Sequence, residues 1–140
     1  MSGRIAPAEP DAVTAFIAIG ANLGDPLGQV REALDALDRL SGVRVVARSS
    51  IYRTAPLGAE GQPDYFNAVA GVDTRLQPRA LLAALLDLES RRGRVRHFQN
   101  APRTLDLDLL LYGDRIIDEP GLVVPHPRMH LRRFVLDPLL

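Results

Sequence analysis

The sequence contains no cysteine and no tryptophan. Without cysteine, the chain can form no disulfide scaffold and offers no thiolate nucleophile, which fits a reducing compartment, so we expect a cytoplasmic protein. No apolar run approaches the roughly 20 residues that span a bilayer, so we expect no membrane partner. The first residues, MSGRIAPAEPDAV, carry one arginine and no apolar stretch, so they are not typical of a signal peptide.

Lysine is also absent, so all seventeen basic residues are arginines, and they are balanced by seventeen acidic residues. A net charge of zero disfavours a protein that binds nucleic acid through its overall charge. Coding bias in a GC-rich genome accounts for the choice of arginine over lysine. It does not account for the positions of the arginines along the chain.

The length of 140 residues suits one domain, and a hydrophobic content of 46% suits a globular one. We interpret residues 1–13 as a flexible N-terminal extension and residues 14–140 as a single domain. Short apolar segments and two amphipathic segments alternate in the order strand, helix, strand, strand, helix, strand. This order predicts an α+β, ferredoxin-like fold, in which an antiparallel sheet carries helices on one face.

The predicted strands and helices have specific bounds and faces. On the second helix we expect five leucines to face the core: Leu81, Leu82, Leu85, Leu86 and Leu88. On the last strand we expect Leu105, Leu107, Leu109 and Leu111 to share one face. The predicted strands are Thr14–Ile19, Val43–Tyr52, Tyr65–Val72 and Thr104–Tyr112, the helices begin at Pro26 and Pro78 and end before Gly42 and Gly93, and a hairpin follows around residues 118–121.

The strand that contains Asp106-Leu107-Asp108 places two carboxylates on one face. At about 6.6 Å and an effective dielectric constant near 20, their repulsion is about 2–3 kcal/mol. Water, arginine or a hard divalent cation such as Mg²⁺ can offset this repulsion. Taken alone, the pair fits a solvated polar face as well as it fits a metal site.

Eight of the seventeen arginines lie in two short stretches that flank this aspartate pair, residues 91–103 and 128–133. Guanidinium groups beside paired carboxylates are typical of polyphosphate chemistry, although a solvated basic loop is the alternative. The sequence has no G-x-x-x-x-G-K-[ST] motif, so a nucleotide would be held without a Walker loop.

Four other residues have both a structural and a functional interpretation. Glu89 lies on the apolar side of its helix, where a carboxylate forms an ion pair or serves a ligand. His126, between Pro125 and Pro127, is a hydrogen-bonded structural residue or a ligand contact. Tyr65 and Asn67 share a strand face after a long loop, and they fit either a flat heterocycle or a core position.

Six sequence blocks occur in a fixed order along the chain: residues 18–24, 52–58, 62–68, 93–96, 102–108 and 124–129. The most specific block is Pro-Arg-Thr-Leu-Asp-Leu-Asp at residues 102–108. Together the blocks resemble the 6-hydroxymethyl-7,8-dihydropterin pyrophosphokinase family of the folate pathway, and the resemblance runs from about residue 14 to the C-terminus.

The resemblance implies transfer of pyrophosphate from ATP to the pterin hydroxymethyl group, which gives the pterin diphosphate and AMP. It implies that Asp106 and Asp108 bind two Mg²⁺ ions and that Arg94 and Arg103 stabilise the transferring group. The ATP contacts that it implies are Glu89, Arg94, Arg96, Arg103, His126 and Arg132. The pterin contacts that it implies are Thr54, Pro56, Leu57, Tyr65, Asn67 and Phe134, with Tyr65 and Phe134 on either side of the ring.

Two other functions are compatible with a ferredoxin-like fold. One is a non-catalytic ligand-binding module, in which the aspartate pair is only a polar face. The other is an arginine-rich RNA-binding domain, which the zero net charge and the lack of paired exposed aromatics disfavour. We therefore expect a monomer that takes two small-molecule substrates, ATP and the pterin, and no nucleic acid.

Overall fold

The computed structural model describes residues 12–22, 24–55, 64–92 and 105–127. Within these ranges the chain forms seven strands and two helices. They are β1 (Val13–Ala21), α1 (Pro26–Asp38), β2 (Val43–Arg48), β3 (Tyr52–Thr54), β4 (Tyr65–Thr74), α2 (Pro78–Arg92), β5 (Asp106–Tyr112), β6 (Ile117–Glu119) and β7 (Leu122–Val124).

The main sheet is antiparallel and has the strand order β2-β4-β1-β5, with β3 also paired to β4. Strands β6 and β7 form a separate hairpin, which was predicted. Both helices pack against the main sheet, α1 on β1 and β4, and α2 on β5. The predicted ferredoxin-like fold is confirmed.

Helix α1 begins and ends where the sequence predicts. The Asp25 carboxylate accepts a hydrogen bond from the backbone N–H of Gly28 (3.2 Å), and Pro26 occupies the first helical position. Gly42 has a φ of 81°, in the left-handed region that favours glycine, and turns the chain into β2. The apolar face between these ends packs Val30 and Leu37 against the sheet.

The main core lies between the helices and one face of the sheet. In β1 the odd-numbered residues Ala15, Ile17 and Ile19 face the helices, because side chains alternate along a strand. The even-numbered residues of β1 therefore face the other side of the sheet. There Ala18 packs in a small second cluster with Val69 and Leu110.

Three details of the sequence prediction were wrong. Residues 43–52 form two strands because Ser49 interrupts the ladder: its hydroxyl, rather than its carbonyl, accepts a hydrogen bond from the Val69 N–H (2.8 Å). In β5 a register shift follows Leu109, so Leu111 packs in the second cluster and not beside Leu109. On α2, Leu86 is 47% exposed, because it lies off the stripe formed by Leu81, Leu85 and Leu88.

In the part of the chain that the structure describes, no helix is both long enough and apolar enough to cross a bilayer. Most of the predicted N-terminal extension lies outside the described residues.

Candidate active site

The described residues predicted for the pterin and the metal lie on the sheet face that points away from the helices: Thr54, Tyr65, Asn67, Asp106 and Asp108. Directly paired residues of antiparallel strands share a face. One row across the sheet runs from Tyr52 through Asn67 and Gly20 to Asp106, and the next contains Val69, Ala18 and Asp108. Strand β1 therefore lies between the predicted pterin residues on β4 and the predicted metal residues on β5.

The two aspartates stand beside small residues of β1. Asp106 pairs with Gly20 and Asp108 pairs with Ala18, and both aspartates are partly exposed. Among the described residues, no group of three or more His, Cys, Asp or Glu side chains gathers as a metal cage. Two carboxylates on an open face fit Mg²⁺, which takes one or two protein carboxylates and completes its coordination with water and phosphate oxygens.

Glu89 supports the strand that carries these aspartates. Its side chain is only 4% exposed, and its Oε2 accepts a hydrogen bond from the backbone N–H of Leu107 at 2.7 Å. Leu107 is the residue between Asp106 and Asp108, and β5 is the edge strand of the sheet. The buried carboxylate therefore accepts a backbone hydrogen bond at the edge of the sheet and holds β5 in place from the side of the helices.

An open cleft of about 350 Å³ lies between α2, β5 and the β6–β7 hairpin. Its polar lining comes from Glu89, Asp108 and His126, and much of the rest is apolar. The His126 backbone N–H donates a hydrogen bond to the Leu110 carbonyl (2.9 Å), which ties the segment after β7 to β5. An apolar cleft that has carboxylates at its edge suits a flat base joined to a metal-bound phosphate chain.

Asn67 and Thr54 form a fixed polar pair on the other side of β1. Asn67 is 5% exposed, and its Nδ2 donates a hydrogen bond to Thr54 Oγ1 at 2.9 Å. Tyr65 lies two residues before Asn67 on the same face, directly opposite Thr54, and is partly exposed. An aromatic ring beside a held amide can recognise a flat, hydrogen-bonding ring.

Of the arginines predicted to form the basic stretch at 91–103, two are described. Arg91 forms an ion pair with Asp87 (2.9 Å) and Arg92 with Glu32 (3.1 Å), both at the surface. Seven predicted site residues lie outside the described residues. They are Pro56, Leu57, Arg94, Arg96, Arg103, Arg132 and Phe134.

The structure adds site residues that the sequence analysis missed. Leu82, Leu86 and Val123 line the cleft, and Gly20 separates Asn67 from Asp106. The position of Leu86 out of phase with the buried stripe of α2 is a signal that could have marked it as a surface contact. Gly20 lies inside one of the sequence blocks. Its position between Asn67 and Asp106 could not be predicted, because it depends on how the strands pair.

A family model and three relatives in sequence give the same result. The model of the family described as 7,8-dihydro-6-hydroxymethylpterin-pyrophosphokinase (HPPK) matches residues 16–140. Three relatives are each described as "2-amino-4-hydroxy-6-hydroxymethyldihydropteridine pyrophosphokinase". The Haemophilus influenzae protein is 49% identical, over 91% of this chain and 79% of its own length. The Pseudomonas aeruginosa protein is 49% identical, over 89% and 76%, and the Pseudomonas putida protein 48%, over 84% and 98%. The chain therefore belongs to the 7,8-dihydro-6-hydroxymethylpterin pyrophosphokinase family.

Proposed function

We propose that this pyrophosphokinase joins its two substrates over β1, on the sheet face opposite the helices. The reaction transfers pyrophosphate from ATP to 6-hydroxymethyl-7,8-dihydropterin, a step of folate biosynthesis. The hydroxymethyl oxygen bonds to the β-phosphorus of ATP, and the bond from that phosphorus to the α,β-bridging oxygen breaks. AMP leaves with the bridging oxygen, and the hydroxyl proton passes to water.

One observation carries the placement of the reaction. Asn67, Gly20 and Asp106 are directly paired neighbours across three strands, so the pterin residues and the metal residues share one face. Adjacent strands are about 4.8 Å apart, which puts the Asn67 and Asp106 backbones about 10 Å apart. A pterin held at Asn67 can extend its hydroxymethyl group across β1 towards phosphates held at Asp106.

Asp106 and Asp108 would hold the Mg²⁺ that accompanies ATP, and we expect two ions. Bound there, Mg²⁺ would neutralise phosphate charge and align the triphosphate for in-line displacement. The protein supplies few carboxylates at this face, which leaves coordination positions for phosphate oxygens. From the family resemblance we expect Arg94 and Arg103 to neutralise the remaining charge.

The cleft beside β5 is the place we assign to the nucleoside part of ATP. Leu82, Leu86 and Val123 offer apolar contacts to the base, while Glu89 and His126 line the same cleft as Asp108. A nucleotide that begins in the cleft and ends at the aspartates would follow the edge strand. The family resemblance adds Arg96 and Arg132 as further ATP contacts.

The pterin would lie on the β3–β4 side of β1. There the amide of Asn67 would hydrogen-bond the ring and Tyr65 would stack on it, with Thr54 at its edge. The family resemblance adds Pro56 and Leu57 to the pocket and Phe134 as the second stacking residue. We also expect the enzyme to act as a cytoplasmic monomer.

The test follows AMP and pterin diphosphate formation from ATP and 6-hydroxymethyl-7,8-dihydropterin at saturating Mg²⁺. We expect Asp106→Asn and Asp108→Asn each to lower turnover at least 100-fold, because each removes a metal-binding charge. The matched control is Asp118→Asn, an exposed strand aspartate on β6, which should behave as wild type. Unchanged turnover in the Asp106 and Asp108 variants would contradict the assignment of the metal site.

A further inference from the structure

We propose that Gly20 is a positioning residue for the pterin, because its missing side chain sets where the amide of Asn67 lies. This inference rests on the proposed function, since it concerns the same sheet face. The inference adds Gly20 to the proposed site. Gly20 acts by having no side chain, which leaves space beside β4 for the Asn67 amide.

The register places Gly20 at the centre of the site. It pairs with Asn67 on one side and with Asp106 on the other. A Cβ built on Gly20 would lie 3.1 Å from Asn67 Oδ1, closer than an ordinary van der Waals contact. The amide oxygen of Asn67 would therefore have to move by a few tenths of an ångström to admit a Cβ at position 20.

The backbone at this position does not itself require glycine. Gly20 is not among the glycines that have positive φ, and it lies inside a regular strand, where alanine is ordinarily favoured over glycine. A purely structural role thus predicts that alanine is tolerated. The reason for glycine at this position must therefore lie in the side chain packed against it, which is that of Asn67.

Asn67 has little room to retreat from an added methyl group. The residue is buried, and its Nδ2 donates to Thr54 Oγ1 at 2.9 Å, which holds the far end of the amide. A methyl group at position 20 would rotate or push the amide and weaken this hydrogen bond. The pterin would then lose its correctly oriented partner, and the methyl group would also stand between the two substrates.

The test is Gly20→Ala, compared with Gly71→Ala in steady-state kinetics. Gly71 lies on the same sheet face, where an added Cβ would lie 3.2 Å from Phe16 Cε1, so it controls for crowding of the sheet away from the site. For Gly20→Ala we expect the KM for the pterin to rise at least 10-fold and kcat to fall, with the affinity for a non-hydrolysable ATP analogue within 2-fold of wild type. We expect Gly71→Ala to stay within 2-fold of wild type in both. A Gly20→Ala enzyme with a wild-type pterin KM would overturn the inference.

A second comparison tests whether Asn67 transmits the effect. We expect Asn67→Ser to raise the pterin KM, and Gly20→Ala added to Asn67→Ser to raise it by less than 2-fold more, since the clashing amide is gone. If Gly20→Ala raises the pterin KM as strongly in the Asn67→Ser background as in wild type, or if the double variant fails to fold, the role of Asn67 is overturned. If Asn67→Ser itself leaves the pterin KM unchanged, it is the proposed pterin site that fails. If wild-type protein forms no pterin diphosphate, the proposed function fails.

Discussion

The Glu89 carboxylate connects the helix layer to β5, the strand of the aspartate pair, through a short hydrogen bond. It accepts from the Leu107 N–H at 2.7 Å while almost fully buried. Hydrogen bonds to a charged acceptor are stronger than neutral ones, and a buried donor that loses its acceptor retains its full desolvation cost. Glu89 thus contributes to stability as well as lining the cleft that we propose for the nucleotide.

Substitutions of Glu89 should separate these contributions. Glu89→Ala leaves the Leu107 N–H without this acceptor, so we expect the free energy of unfolding to fall by about 2–3 kcal/mol. Glu89→Gln retains an acceptor oxygen, so its free energy of unfolding should fall by less. Chemical denaturation measures both, with Glu32→Gln as control, since the exposed Glu32–Arg92 pair is worth at most about 1 kcal/mol. A Glu89→Ala protein as stable as wild type would contradict this role.

At the scale of elements, Arg79 links α2 to the β6–β7 hairpin by two hydrogen bonds. Arg79 Nε donates to Glu119 Oε1 (3.0 Å), and Arg79 Nη2 donates to the Pro120 carbonyl (2.7 Å). Arg79 is one helical turn before Leu82, and Pro120 directly precedes Gly121, and both Leu82 and Gly121 line the cleft. The two hydrogen bonds therefore join the opposite walls of the nucleotide cleft at one end.

Arg79→Gln should loosen this connection. Because an exposed ion pair contributes up to about 1 kcal/mol, we expect the KM for ATP to rise about 2- to 5-fold while the pterin KM stays constant. Arg44→Gln, which breaks the comparable surface pair with Asp73 (3.4 Å), is the matched control. Equal changes of both KM values in Arg79→Gln would contradict a role restricted to the cleft.

The strands and helices that could be predicted are those whose pattern is local. A short apolar run predicted β1, alternation predicted the aspartate pair on one face of β5, and Pro26 predicted the start of α1. The break at Ser49 could not be predicted, because it depends on a hydrogen bond to Val69, twenty residues away in sequence. The same holds for Gly20, whose position between Asn67 and Asp106 depends on pairing with two distant strands.

At the scale of the whole molecule, the two faces of the sheet separate stability from chemistry. The face towards the helices carries the main apolar core, and the opposite face carries Tyr65, Asn67, Asp106 and Asp108. Antiparallel pairing brings these residues together from distant parts of the sequence. Substitutions of these four residues should therefore alter ligand binding more than folding.

This separation predicts how each ligand changes the thermal stability. A ligand that binds only the folded protein stabilises it by about 2.7 kcal/mol at 100 times its Kd, or roughly 10 °C in Tm for a domain of this size. In the described part of the chain, the residues proposed for the nucleotide and those proposed for the pterin lie on opposite sides of β1 and share no side chain. We expect the Tm rise caused by Mg²⁺ and a non-hydrolysable ATP analogue to be lost in Asp108→Asn and kept in Tyr65→Ala.

The further rise in Tm on adding 6-hydroxymethyl-7,8-dihydropterin to the protein with bound analogue should be smaller in Tyr65→Ala than in wild type, because the variant lacks the stacking surface. Asp118→Asn should show both rises, as wild type does. Loss of both rises in Tyr65→Ala would mean that this residue supports the fold rather than the pterin. Retention of the nucleotide rise in Asp108→Asn would mean that the triphosphate is held away from β5, and the reaction could not then take place over β1.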